Sequence, residues 1–474
     1  MTKVLMVASE AMPFCKTGGL ADVIGALPVA LEQRGEQVAV VLPAYRINNY
    51  PGPLREAYRN LWIPLGGGFN VDIFERVERG VTFYFVNYPP LYDRDGIYAS
   101  ASDGWGYPDN HLRYATLSMA ATGIIRHLFR PDVVHCHDWP SALTPVYLRH
   151  NFRNDPTFYG IKLLFTIHNL GYQGEFGPDV LGQIAVDSRL LNPGQLEFHG
   201  RANLMKGGVY FSDAVSTVSK GYAREIQTPE YGFGLDGFLR TQDRLSGILN
   251  GVDYSEWNPE SDPYIAKNYS AANLAGKREC KRALLKELEL NDDKLDRPVI
   301  GMVSRFAAQK GFDLVAEIME ALLAEDVTFV VLGSGDLHYE NMFRVIESTH
   351  RDRMAVSIGY SEALSHRIEA GADMFLMPSR YEPSGLSQMY SLKYGTVPVV
   401  RATGGLDDTI EEGTGFKFQD YSGAALLSTV LDALEAYQDR SQWTAMMRRG
   451  MQKDFSWKAS AAEYSALYRR ILAA

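Results

Sequence analysis

Three segments of the chain set charged side chains beside glycine in a spacing that suits an anionic ligand, and a fourth repeats the glycine pair. The first, Lys16-Thr17-Gly18-Gly19-Leu20-Ala21-Asp22, follows the apolar run Val4–Val7. Glycines at a strand-to-helix turn let backbone N–H groups approach a phosphate at a helix N-terminus, so this is a phosphate-cradle candidate, with a tight turn and a solvated lysine as the plain alternative. It matches neither the dinucleotide fingerprint nor a P-loop. In the second segment, Val299–Val303 runs into Ser304-Arg305-Phe306-Ala307-Ala308-Gln309-Lys310-Gly311, which puts two cations where they could neutralise a diphosphate leaving group.

The third, Pro378-Ser379-Arg380-Tyr381-Glu382-Pro383-Ser384-Gly385-Leu386-Ser387, holds a carboxylate in a Pro- and Gly-constrained loop. That geometry can turn Glu382 inward while the amides of Ser384 to Ser387 face an anion. Thr403-Gly404-Gly405-Leu406 supplies the fourth, whereas Gly333-Ser334-Gly335 lacks the last fingerprint glycine, His338 standing there, and reads as a tight turn. His135-Cys136-His137-Asp138-Trp139 invites a metal reading, since alternate strand residues share a face, but no third ligand is placed nearby. Asp138 reads better as an acceptor from sugar hydroxyls and Trp139 as a stacking surface. His168-Asn169 ends another strand, where a satisfied core histidine is the commoner outcome.

These segments need a scaffold that delivers loops to one edge. Apolar runs at Val4–Val7, Val38–Leu42, Val81–Val86, Asp132–His135, Leu163–Ile167 and Ala214–Val218 alternate with helical patterns. A second series, at Val299–Val303, Thr328–Leu332, Ala355–Ile358, Met374–Met377 and Val397–Val400, follows a polar, turn-rich stretch from Asn250 to Asp296. Near-continuous apolar strands between helices predict parallel sheets covered on both faces, hence an α/β chain of two doubly wound, Rossmann-like domains. The expected division is 1–250, 251–455 and a terminal helix over 456–474, marked by Tyr464, Leu467, Tyr468 and Ile471.

Of 474 residues, 46% are hydrophobic, and 47 Lys+Arg against 57 Asp+Glu leave a net charge of -10, which argues against a nucleic-acid backbone as main ligand. Three scattered cysteines give neither a disulfide framework nor a zinc ribbon, and no apolar stretch approaches membrane-spanning length. A cytoplasmic protein without membrane association is expected. No metal or cofactor is expected either, since no Asp-x-Asp cluster stands beside a His or Glu set and the cations can do a metal's electrostatic work.

The strings Lys16–Val23, His137-Asp138-Trp139, Thr166–Asn169, Tyr231-Gly-Phe-Gly-Leu235, Asn250–Asp253, Ser304-Arg305 with Lys310-Gly311, Pro378–Leu386 and Thr403–Leu406 span the chain in order. With them it resembles the bacterial glycogen synthases, close to plant starch synthases. The resemblance implies a GT-B glycosyltransferase with two domains facing across a deep cleft, the first on the acceptor side and the second on the donor side. It implies retaining transfer of glucose from ADP-glucose to the non-reducing end of an α-1,4-glucan such as glycogen. On these positions it implies that Lys16, Gly18, Gly19 and Asp22 meet the donor, that Arg305 and Lys310 neutralise the diphosphate, and that Glu382 and His168 lie against the glucose. Asp138, Asn169, Ser384, Gly385, Leu386, Ser387, Gly404 and Gly405 complete the implied donor site, with Trp139 and Tyr231 on the acceptor.

Two positions depart from related transferases. Tyr390 stands where many retaining relatives carry a second glutamate, and Ser384 where some bacterial members have cysteine. Three alternatives are distinguishable. A non-catalytic glucan-binding protein would bind glucan without releasing ADP, a UDP-sugar transferase would prefer the other base, and a phosphorylase would need a lysine for pyridoxal phosphate.

Overall fold

The computed structural model describes residues 1–100, 104–292 and 294–474. The chain divides into two compact units, one of residues 1–218, 223–251 and 457–474, the other of residues 219–222 and 252–456.

In the first unit the strands are β1 (Lys3–Val7), β2 (Gln37–Pro43), β3 (Arg55–Ile63), β4 (Phe69–Glu78), β5 (Val81–Asn87), β6 (Val133–His137), β7 (Lys162–Ile167), β8 (Glu175–Phe176), β9 (Glu197–Phe198), β10 (Arg201–Asn203), β11 (Ala214–Thr217) and β12 (Leu245–Gly247). A nine-stranded sheet runs β12-β11-β7-β6-β1-β2-β5-β4-β3, parallel throughout except that β4 and β3 add antiparallel at one end. β8, β10 and β9 form a small separate sheet. The central strands are buried on both faces, as β6 shows with every residue buried, because helices cover the sheet from either side.

The helix Gly19–Glu32 buries Leu20, Val23, Ile24, Leu27 and Leu31, a stripe at helical spacing. Against it, in the same core, lies the terminal helix Trp457–Ala473 with Trp457, Ala461, Tyr464, Leu467, Tyr468 and Ile471. At about 1.5–3 kcal/mol for each large apolar side chain removed from water, that helix is a structural part of the first unit.

The second unit carries β13 (Val299–Val303), β14 (Thr328–Gly333), β15 (Met354–Ile358), β16 (Met374–Met377), β17 (Val397–Arg401) and β18 (Phe416–Phe418), all parallel, in the order β15-β14-β13-β16-β17-β18. Its helix Phe312–Ala324 turns Leu314, Ile318 and Leu322 inward, the face expected from their spacing.

Candidate active site

Both sheets reverse their strand order beside their first strand. In the second unit β13 lies between β14 and β16; in the first, β1 lies between β2 and β6. Loops leaving the carboxyl ends of strands at such a point diverge and open a crevice, where ligands of open α/β sheets bind. Arg305 and Lys310 follow β13, and Glu382 follows β16. In the first unit Lys16 to Asp22 follow β1, Asp138 and Trp139 follow β6, and His168 and Asn169 follow the adjoining β7.

In the second unit two of the expected residues meet. Lys310 Nζ lies 2.6 Å from Glu382 Oε2, with the side chains 19% and 7% exposed. Ser379 Oγ donates to the same carboxylate oxygen at 3.1 Å. Arg305 is exposed, and its side chain takes no partner among the described residues. The loop that carries Glu382 is locked by its own neighbours. Gly311 is left-handed (φ 77°), and a Cβ there would stand 2.1 Å from Pro378 O. Gln388 Nε2 donates to the carbonyls of Ser384 and Gly385 at 3.0 and 3.2 Å, and Ser219 Oγ donates to Pro383 O at 2.5 Å.

Gly405 N donates to Glu382 O at 3.0 Å, and a Cβ on Gly405 would lie 2.0 Å from Ser384 O. This glycine is therefore required by packing between the two loops. Leu386 precedes the short helix that opens at Ser387. Ser384 Oγ is buried with no partner among the described residues.

The first unit is built differently. Lys16 pairs with Asp22 at 2.7 Å, both partly exposed, and burial pushes the Asp22 carboxyl up against the pull of that lysine. A Cβ on Gly18 or Gly19 would meet nothing within 4 Å, so protein packing does not require glycine at either position. No side chain caps the helix that starts at Gly19. The Gly18 amide is nevertheless engaged. It donates at 3.2 Å to Glu10 Oε2, which Thr17 also serves through its N–H and hydroxyl, while Tyr98 OH donates to Glu10 Oε1 at 3.0 Å. Sequence reading missed Glu10 and Tyr98, because an acid and a tyrosine so far apart in the chain give no local pattern.

Asp138 is left-handed (φ 56°), a strained backbone state for a non-glycine residue. Its Oδ1 accepts from the amides of His168 at 2.7 Å and Asn169 at 3.5 Å. Burial outweighs those bonds and pushes its carboxyl up to about 7. His168 is 8% exposed, and burial holds its imidazole down at about 3, hence neutral. Trp139 stands edge-on to Tyr114 at 4.9 Å, and the main chain of left-handed Gly174 packs against its indole. Tyr231 is 9% exposed. Tyr390 stacks on Trp257 (3.9 Å between centroids, 2° between planes), and His366 stacks on the same indole at 3.7 Å. Among the described residues no group of three or more His, Cys, Asp or Glu is arranged to hold a metal ion, and no helix is long and apolar enough to cross a membrane.

Two doubly wound units, each bringing glycine-containing loops to a point of strand-order reversal, define a GT-B glycosyltransferase. A family model described as the starch synthase catalytic domain matches residues 3–241, and one described as glycosyl transferases group 1 matches residues 286–449. The chain belongs to the glycogen synthase family: it is 49% identical to the glycogen synthase of Koribacter versatilis, over 98% of each chain. It is 47% identical to that of an Anaeromyxobacter species, over 99% of this chain and all of that one. The catalytic domain of starch synthase IV from Arabidopsis thaliana, solved with ADP and acarbose, superposes over both full chains with a TM-score of 0.89 at 32% identity. Sucrose-phosphate synthase from Thermosynechococcus elongatus shares the fold, with a TM-score of 0.64 at 17% identity.

Proposed function

We propose that this glycosyltransferase moves glucose from ADP-glucose to the non-reducing end of an α-1,4-glucan, in the cytoplasm and with retention at the anomeric carbon. The observation that carries the reading is the Lys310–Glu382 pair at the switch point of the second sheet, with Arg305 unpartnered on the same loop as Lys310. Fixed cations there stabilise charge that develops on a departing diphosphate, and a low-dielectric site strengthens them. The names of the relatives, and the ADP and acarbose in the Arabidopsis protein, support the nucleotide and the glucan.

Glu382 acts in this reading by charge. A carboxylate paired with an ammonium and accepting from Ser379 is a weak nucleophile, so it orients the sugar and stabilises the cationic anomeric centre. The departing phosphate takes the acceptor's proton on the same face. His168 and Asp138 meet the glucose hydroxyls, and Lys16 with the open Gly18-Gly19 turn meets the phosphates.

The test is ADP release coupled to growth of glycogen. ADP-glucose should support a higher kcat/KM than UDP-glucose, and glucan binding without ADP release would refute catalysis. The Glu382→Gln enzyme should bind donor nearly normally and lose mainly kcat, since its charge acts in the transition state. A glucosyl ester trapped on Glu382 would overturn the same-face mechanism.

A further inference from the structure

Alternation along β6 sets His137 beside His135 with the rings tilted by 37° and their centroids 4.0 Å apart, and His137 Nδ1 lies 3.0 Å from Nε2 of His168 at the end of β7. The other nitrogen, His137 Nε2, is buried with no partner among the described residues. Burial holds the imidazoles of His135, His137 and His168 below their ordinary range, so each carries one proton. Two arrangements can share the 3.0 Å contact. If His168 donated from Nε2, the proton of His137 would sit on Nε2, leaving a buried N–H without an acceptor. If His137 donates from Nδ1, its Nε2 keeps only a lone pair. Orphaned buried N–H groups are the rarer and costlier of the two.

We propose that His137 is a positioning residue. Its Nδ1–H donates to Nε2 of His168 and fixes His168 in the tautomer protonated on Nδ1, so that the ring offers the donor sugar an N–H and not a lone pair. This assignment to the sugar rests on the reading of His168 above; the tautomer itself does not. His135 holds the pair in place from behind. Its Nδ1 meets Tyr468 OH at 2.8 Å and its Nε2 meets Thr166 Oγ1 at 2.6 Å. Both hydroxyls rotate to either role, so His135 fixes position without dictating tautomer.

Long-range ¹⁵N–¹H spectra of the full chain, labelled at histidine and assigned with His168→Gln, read the tautomer directly. Protonated Nδ1 on both His137 and His168 is expected; a proton on His168 Nε2 overturns the proposal. In kinetics, His137→Phe, which fills the space without a donor, should lower kcat about tenfold, the worth of one buried hydrogen bond, with the KM for ADP-glucose little changed. His137→Asn places an amide N–H where Nδ1 stands and should restore the rate to within about threefold of wild type. Equal rates in the Phe and Asn variants would refute the donor role. Should the wild-type chain fail to use ADP-glucose, the proposed function falls, while the spectra still decide the tautomer.

Discussion

Gly18-Gly19 after β1 and Gly404-Gly405 after β17 both sit at a strand's carboxyl end and open a helix, and their sequences are nearly interchangeable. Their surroundings are opposite. The first pair faces open space on every side a Cβ would point, whereas Gly405 is pinned against the Ser384 carbonyl. The ion pairs differ in the same sense, Lys16–Asp22 being 40% and 26% exposed and Lys310–Glu382 only 19% and 7%. A glycine without a packing partner leaves space beside the backbone; one fixed by packing shapes a neighbour. The first unit thus has an open turn, and the second a rigid loop that holds a carboxylate in place.

The largest effect that could break this contrast is at Lys310. Lys310→Met leaves the Glu382 carboxylate mostly buried and unpaired, and should cost about 3–5 kcal/mol of stability by denaturant titration. It should also lower kcat about 100-fold, as should Arg305→Ala, which carries no stability cost. Lys16→Met, at an exposed pair, should change stability by under about 1 kcal/mol. Next comes Gly405→Ala, where overpacking against Ser384 should cost about 1–3 kcal/mol and lower Tm. Gly18→Ala should leave Tm within a degree or two, since a Cβ there meets nothing within 4 Å and such changes stay within about 0.5 kcal/mol, yet raise the KM for ADP-glucose. Equal losses of stability in the two alanine variants would erase the distinction between the turns.

The smallest effect is a change in the shape of a pH profile. Asp138 accepts best when ionised, and burial places its titration at about 7. The rate at limiting substrate should therefore rise with pH up to about 7 and then level, and Asp138→Asn should lack that limb. Because the folded carboxyl is raised, the linked stability is fully present below the ordinary value of 3.8 and is lost as the pH rises through about 7. Thermal unfolding across that range, with and without the Asn substitution, measures it.

The longer parallel strands, unlike the three-residue β12 and β18, were legible because burial on both faces leaves them largely apolar. β3 and β4 were not. The charged residues Arg55, Glu56, Arg59, Asp72, Glu75 and Arg76 break the apolar run, and the hairpin turns through three left-handed glycines at Gly66 to Gly68. In the site, residues of one segment could be read together, as Lys310 with its glycine or Glu382 with its prolines. Partners brought in by topology could not: Glu10 reaching the Thr17 and Gly18 amides, or His137 reaching His168 across two strands. The role of Gly405 lay equally beyond the sequence, because an anion and a carbonyl demand the same missing side chain.

The terminal helix gives the molecule an order of completion. The first unit emerges first from the ribosome, but its core also takes Trp457 to Ile471 from the far end of the fold. Between them lie residues 252–456, which take about 10–40 s to synthesise. Through that interval the helix Gly19–Glu32 has only the sheet side of its apolar surface covered, by β2 and β5, and the side that meets the terminal helix stays open to chaperones. A chain that stops short of Trp457 keeps that side open for good. The second unit, residues 219–222 included, is complete before the first is closed, so the older half of the polypeptide finishes last.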